Sequence, residues 1–367
     1  MTADLLTPRQ LNRATLHRQY LLARVRRPAL DIVHDLVGMQ GQNPRDPYVA
    51  LWSRLVDFDP SELEGLLLDR QVVRLVVQRG TVHVVTADDC LVLRPLAQPI
   101  LLQQLRAHSL YRGRFDGVDL EAVMDSARQI LAEQPRNAKQ LREAVAERFP
   151  DVDAEAMAFA CRNLLAFVQV PPRGLWTKSG AVVGTTAEAW LGRPLDSSPS
   201  VDAVMLRYVA AFGPSTVRDA ANWSRYAGLR EVFERLRPQL RTFRDDAGRE
   251  LFDVPEGVIP EPDVPAPPRF LPEYDNVLLA HADRSRFASD RFGARMPYDR
   301  LGFLGNLLVD GVVVGGWRRG DDPATLLVYT VDQLDAGTRD DVEGEAQRLL
   351  HLLAPGGDHE VRFEVVG

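Results

Sequence analysis

The chain has 367 residues, 45% hydrophobic and 26% charged, the profile of a soluble globular protein long enough for two to four structural units. No run of about 18 apolar residues occurs, which excludes a membrane-spanning helix, and the start "MTADLLTPRQ" lacks a signal peptide's basic and apolar regions, which predicts a cytoplasmic protein. Residues 321–367 carry eleven acids against three arginines, so the net charge of −7 leaves +1 for everything before them and does not exclude a polyanionic partner.

In chain order, "TPRQLNRATLHRQYLL" predicts a helix opened by a Thr7–Gln10 capping box with Pro8 at its first position. "PALDIVHDLVGM" predicts a second helix from about Pro28 into the stretch Gln40-Gly41-Gln42. "DPYVALWSRL" and "DPSELEGLLLDR" predict two short helices, each opened by Asp-Pro. "VVRLVVQRGTVHVVT" predicts two strands around Arg79–Gly80, giving the helices-then-hairpin order of a winged helix, and Thr86-Ala-Asp-Asp89 starts the next helix.

The order returns twice more. "LEAVMDSARQILAEQPRNAKQLREAVAERFP" predicts two helices about the "RNAKQL" turn, and "DAEAMAFACRNLLAFVQVPPRGLWTKSGAVVG" a helix with a wing-like strand pair. "PSTVRDAANWSRY" predicts a helix-turn-helix, and "LRTFRDDAGRELFDV" a hairpin turning on Asp246-Ala247-Gly248. Six prolines between Pro255 and Pro268 mark a linker or an extended crossing segment. Beyond it, "NVLLAHADRSRF", "NLLVDGVVVGGWR" and "TLLVYTV" read as β-rich, with an acidic helix "DDVEGEAQRLLHLLA" and a last strand "HEVRFEVV". The expected fold class is α+β. Three tandem winged-helix units occupy 1–110, 111–195 and 196–254, a proline-rich linker 255–268, and a β-rich domain 269–367.

The chemistry must come from a short inventory. The sequence holds no GxGxxG, P-loop, HExxH, CxxC or GxSxG, and no two histidines are spaced i, i+4, so a metal site has no support. Cys90 and Cys161 read as buried thiols. Of the 44 basic residues only Lys139 and Lys178 are lysines, which leaves two candidates for Schiff-base chemistry. Tandem winged helices supplied with arginine point to duplex DNA, although such modules also serve as protein-interaction domains.

One stretch narrows this. "HDLVGMQGQNPRDPYVALW" resembles the Gln-x-Gln or Gln-x-Asp motif region of the bacterial winged-helix DNA glycosylases of the AlkZ/YcaQ type. "RGTVHVVTADD" is similar to that family's first wing, and "LPEYDNVLLAHADRSRF" and "LLVDGVVVGGWR" to its C-terminal segments. The Gln-x-Gln form is closest to the branch associated with azinomycin self-resistance, although the usually hydrophobic middle residue is Gly41 here.

The resemblance implies three winged-helix units and a β-rich domain around a concave DNA channel. It also implies Gln40 and Gln42 as the catalytic pair, removal of N7-alkylated purines, unhooking of interstrand crosslinks, and no cofactor. Physically, two amides suffice for such a substrate. An N7-alkylpurine is cationic and already primed to leave, so no general acid is needed. What remains is to place water beside C1′ and aim a dipole at an oxocarbenium-like sugar. A glutamine carbonyl does this while neighbours fix its NH₂. Asn43, Arg45, Arg79, His83, Arg284 and Arg286 are expected DNA contacts, and the tryptophans core residues. The expected protein is a monomer acting on the nucleoid. The competing reading is a winged-helix DNA-binding regulator without catalysis.

Overall fold

The computed structural model describes residues 4–178, 180–288, 292 and 295–366 and has a mixed α+β architecture. The first helix, Pro8–Arg18, carries the expected capping box: Thr7 and Gln10 satisfy one another's backbone amides. Helices Ala29–Asp35, Asp46–Trp52 and Pro60–Leu68 follow, then the antiparallel strands Val72–Val76 and Val82–Thr86. The Thr86 hydroxyl caps helix Ala87–Ala107 through the Asp89 amide.

Two expectations about these elements need correction. The second helix does not reach the glutamines: it stops at Asp35. Val37 and Gly38 turn the chain with φ of 55° and 89°, and the Gly38 amide closes the helix end on the Val33 carbonyl at 2.8 Å. Released from the helix, Met39–Gln40 pairs as a short strand with Val84 and His83. Likewise "NVLLAHADRSRF" forms no strand; Asp275 caps the short helix Asn276–Leu279 and turns follow. A short apolar run fits either state, and here the cap decided.

Downstream, helices Leu120–Glu133, Ala138–Arg148 and Ala154–Leu164 precede strands Phe167–Gln169 and Val183–Thr186. These two strands extend the first hairpin. Arg74 and Leu75 pair with Gln169 and Val168, making one six-stranded sheet. Helices Val201–Phe212, Val217–Ser224 and Leu229–Leu236 lead into the hairpin Arg241–Asp245 and Glu250–Asp253, whose edge takes Leu5–Leu6 as a parallel strand. The C-terminal sheet has five strands, in the order Arg269–Leu271, Gly305–Val309, Val312–Arg319, Thr325–Thr330, Glu360–Val365, with helix Ala336–Leu353 against it.

The proline-rich stretch is a crossing segment, pinned by arginines of the first helix. Arg9 Nε donates to the Pro262 carbonyl (2.8 Å) and Arg13 Nε to that of Val264 (2.7 Å). No described helix is long and apolar enough to cross a membrane.

One core cluster joins the N-terminal helices to the C-terminal sheet. It contains Ile32, Leu51, Trp52 and Val72 with Phe270, Trp317, Val328 and Leu349. Buried in the same junction, Arg54 donates to both carboxylate oxygens of Asp275, each at 2.8 Å, and also to the Ala50 carbonyl. Removing one partner strands the other charge out of water. Asp275→Asn should therefore cost about 3 kcal/mol in urea unfolding. A loss below about 1 kcal/mol would show that the pair does not join the two halves.

Candidate active site

The turn at Gly38 and the pairing of Gln40 with His83 set the backbone from which both glutamine side chains project. Gly41 is held on both sides. Its amide donates to the Val82 carbonyl, and its carbonyl accepts from Arg74 Nη2, both at 2.8 Å. A Cβ at Gly41 would lie 2.9 Å from Arg74 Nη1 and 3.2 Å from Pro47 Cγ, so the close packing of Arg74 suits a residue without a side chain.

The two amides are not equivalent. Gln40 is buried, and its Oε1 accepts from Arg79 Nη2 at 2.6 Å. The neighbours thus fix the carbonyl end of Gln40 rather than its NH₂, leaving one lone pair of Oε1 and the two amide hydrogens. Gln42 is exposed and makes no hydrogen bond with any described residue. Gln40 is a preorganised dipole; Gln42 faces outward.

Arg79 was expected at a wing tip against phosphate. Its backbone does turn there, at φ 58°, but its guanidinium points inward. Besides Gln40 it reaches His83 Nε2 (3.2 Å), the Trp223 carbonyl (3.2 Å) and, more loosely, Asn276 Oδ1 (3.5 Å). Burial, with Arg225 and Arg284 nearby, lowers its pKa to about 10, so it remains a cation at neutral pH.

His83 is likewise internal, only 1% exposed. Its Nδ1 lies 2.9 Å from the Thr81 carbonyl, which makes Nδ1 the protonated nitrogen and leaves Nε2 to accept from Arg79. Burial and the Arg79 charge lower its pKa to about 3. Arg286 is also inside, donating to Thr15 Oγ1 (3.1 Å) and the Pro214 carbonyl (3.2 Å). His83 and Arg286 are therefore placed to support the fold rather than to meet a ligand from outside. Asn43 and Arg45 are exposed. Asn43 Oδ1 accepts from the Arg45 amide (3.1 Å), and the Arg45 guanidinium lies over the Trp176 ring at 5.4 Å. Arg284 is exposed. Trp52, Trp223 and Trp317 are buried, whereas Trp176 and Trp190 are half-buried.

Residues that sequence reasoning did not single out complete the site. Asn276 Nδ2 donates to the Gly38 carbonyl at 2.7 Å, tying the segment Pro272–Asn276 to the glutamine turn. A small cavity there is lined by Gln40, Ala50, Tyr274, Asp275 and Asn276. Asp46 is buried beside Arg74, Glu273 and Asp275, with Oδ2 unpartnered; burial first, then Glu273, raises its pKa to about 7. The signals were present in "LPEYDN" and "RDPY", but an Asp before proline reads from sequence as a helix opener.

One turn of this mixed α+β chain thus carries two neighbouring amides, one of them held by the half-buried guanidinium of Arg79. The family model described as DNA glycosylase AlkZ-like matches residues 33–352, so the chain belongs to the AlkZ-like DNA glycosylase family and is a DNA glycosylase. Among solved structures, the Streptomyces sahachiroi DNA glycosylase AlkZ is similar in fold. It has a TM-score of 0.77 and 19% identity, and the match covers 99% of this chain and 100% of that one. No curated protein sequence matches.

The geometry fixes the behaviour of His83. A pKa of about 3, lowered from 6.5, means that its stability contribution is complete above pH 6.5 and is lost as pH falls toward 3. Its ¹⁵N shifts should remain those of a neutral Nδ1–H imidazole from about pH 5 to 9. Titration near neutrality would contradict the buried hydrogen-bond chain.

Proposed function

We propose that this glycosylase excises N7-alkylated purines, including crosslinked ones, by hydrolysis at C1′ with Gln40 and Gln42 positioning the water. The observation that carries the reading is the Arg79–Gln40 contact, which orients one amide beside its exposed partner on a single turn. Water adds to C1′ as the C1′–N9 bond breaks. The bond's electron pair neutralises the purinium, and the water gives up a proton to solvent. A fixed carbonyl dipole stabilises the sugar cation without titrating. The scaffold is read as three winged-helix units and a β-rich domain forming a concave channel, which admits a base still tied to the opposite strand. An enzyme that flips its base into a closed pocket would reject such a lesion.

Gln40→Ala and Gln42→Ala should each lower release of N7-methylguanine about 100-fold, with stability changed by about 1 kcal/mol. Release is measured from duplex in single turnover, beside an N7-linked crosslink and a uracil duplex. A fully active double variant, or uracil release without crosslink unhooking, rejects the assignment.

The duplex path is read from arginines. Arg225 and Arg284 are exposed and near enough to Arg79 to lower its pKa. Arg218, Arg230 and Arg284 line a cleft of about 730 Å³ whose Glu234 and Glu250 are already bonded to Arg237. These exposed arginines supply the cations that phosphates of a bound duplex need. Each phosphate contact contributes about one unit to the salt slope of binding, so Arg218→Gln with Arg230→Gln should reduce it by about two. Fluorescence anisotropy at several salt concentrations measures this, and an unchanged slope places the duplex elsewhere.

A further inference from the structure

Among the described residues, six of the seven buried carboxylates are held by arginines or by two backbone amides. Asp89 is paired with Arg207, Asp245 with Arg249, Asp253 with Arg18 and Arg241, Asp275 with Arg54, and Glu345 with Arg24. Asp219 accepts from the Thr216 and Ala282 amides. Asp46 is also buried, at 7% exposure, yet it has no arginine partner: the Asn43 backbone amide donates to its carboxylate, and its Oδ2 has no partner. Leaving such an oxygen unsatisfied is costly, which makes an unpaired carboxylate at this depth a candidate for function rather than packing.

Its position is specific. Asp46 opens the helix directly after the glutamine turn, and Pro47, the next residue, packs against Gly41. One helical turn on, Ala50 lines the cavity shared with Gln40. Arg74, whose charge reaches Asp46, spends Nη2 on the Gly41 carbonyl, while its Nε and Nη1 are unpartnered; it forms no ion pair with Asp46. From the other side Glu273, Tyr274 and Asp275 face the carboxyl group. The charges that reach Asp46 are thus one cation, Arg74, and two acids, so a negative Asp46 is compensated only in part and its field extends further than that of a salt-bridged carboxylate.

We infer that Asp46, ionised and without an ion-pair partner behind the Gln40–Gly41–Gln42 turn, supplies the negative charge that stabilises the sugar cation and that two neutral amides lack. It is a positioning residue, acting through the electric field across the turn without touching the sugar. The inference rests on the reading of Gln40 and Gln42 as the reacting amides. Two glutamines alone give a pH-independent catalytic contribution, whereas Asp46 adds one that appears only when it loses its proton. Burial, Glu273 and Asp275 raise that event to about pH 7, against the opposing pull of Arg74.

The test compares wild type with Asp46→Asn and Asp46→Glu in single-turnover release of N7-methylguanine from about pH 5.5 to 9, where a catalytic group near neutral pKa is read directly. The ratio of wild-type to Asp46→Asn rates cancels ionisation of the substrate itself. It should rise with pH, to about tenfold or more above neutrality, with Asp46→Glu recovering part of the rise. Thermal unfolding gives an independent readout. A carboxyl whose folded pKa is raised loses stability as pH climbs from its usual value toward the folded one. Asp46→Asn should therefore unfold no lower than wild type above pH 7, while being slower. A ratio independent of pH overturns the inference even if Gln40→Ala and Gln42→Ala are inactive. Should both glutamine variants stay active, the parent reading fails instead. If Asp46→Asn does not fold, Asp46→Ser takes its place in the ratio, and a ratio independent of pH overturns the inference.

Discussion

The bidentate contact between Arg54 and Asp275 is the constraint on which the site depends. Arg54 ends the helical region that follows the glutamine turn, and Asp275 belongs to a segment more than two hundred residues later. Both are almost wholly out of water, so neither charge tolerates loss of the other. Once they are joined, Asp275 caps the short helix that begins at Asn276, and Asn276 takes the Gly38 carbonyl. Gly38 is where the chain leaves its helix and becomes the strand bearing Gln40. A buried ion pair thus fixes the aim of a neutral amide.

Arginine does most of the internal wiring. Arg13, Arg54, Arg74, Arg94 and Arg286 are buried, and each uses its planar fork on carbonyl oxygens, a hydroxyl or a carboxylate. Lysine, a point charge that loses its proton readily when buried, could not make these divergent contacts. An arginine count therefore says little here about phosphate binding. The exposed ones, such as Arg218, Arg225, Arg230 and Arg284, carry that argument, while Arg79 is spent on positioning Gln40.

The glutamine turn is stiff on one side and open on the other. Gly41 is bonded through both its amide and its carbonyl, and Gln40 is clamped by a cation. Gln42, two residues on, faces outward. A dipole held in place beforehand costs no reorganisation when charge develops near it, and of the two amides only Gln40 is held in this way.

Much was legible in the sequence because it is written locally. The Thr7–Gln10 capping box, the Arg79–Gly80 turn, the Asp246–Gly248 hairpin, the helix after Thr86 and the alternating strands each follow from spacing within a few residues. The Gln-x-Gln stretch was legible as a motif, and the family match covers it. Tertiary structure decided what lies far apart in the chain or depends on burial. The helix before the motif ended early because Gly38 closed it and His83 offered a strand partner, which periodicity does not show. Arg79, His83 and Arg286 turned inward because buried carbonyls and amides there required donors. Asp46 became a buried carboxylate beside Glu273 and Asp275, with no ion-pair partner, only through the fold, and no local pattern records which distant segment will arrive.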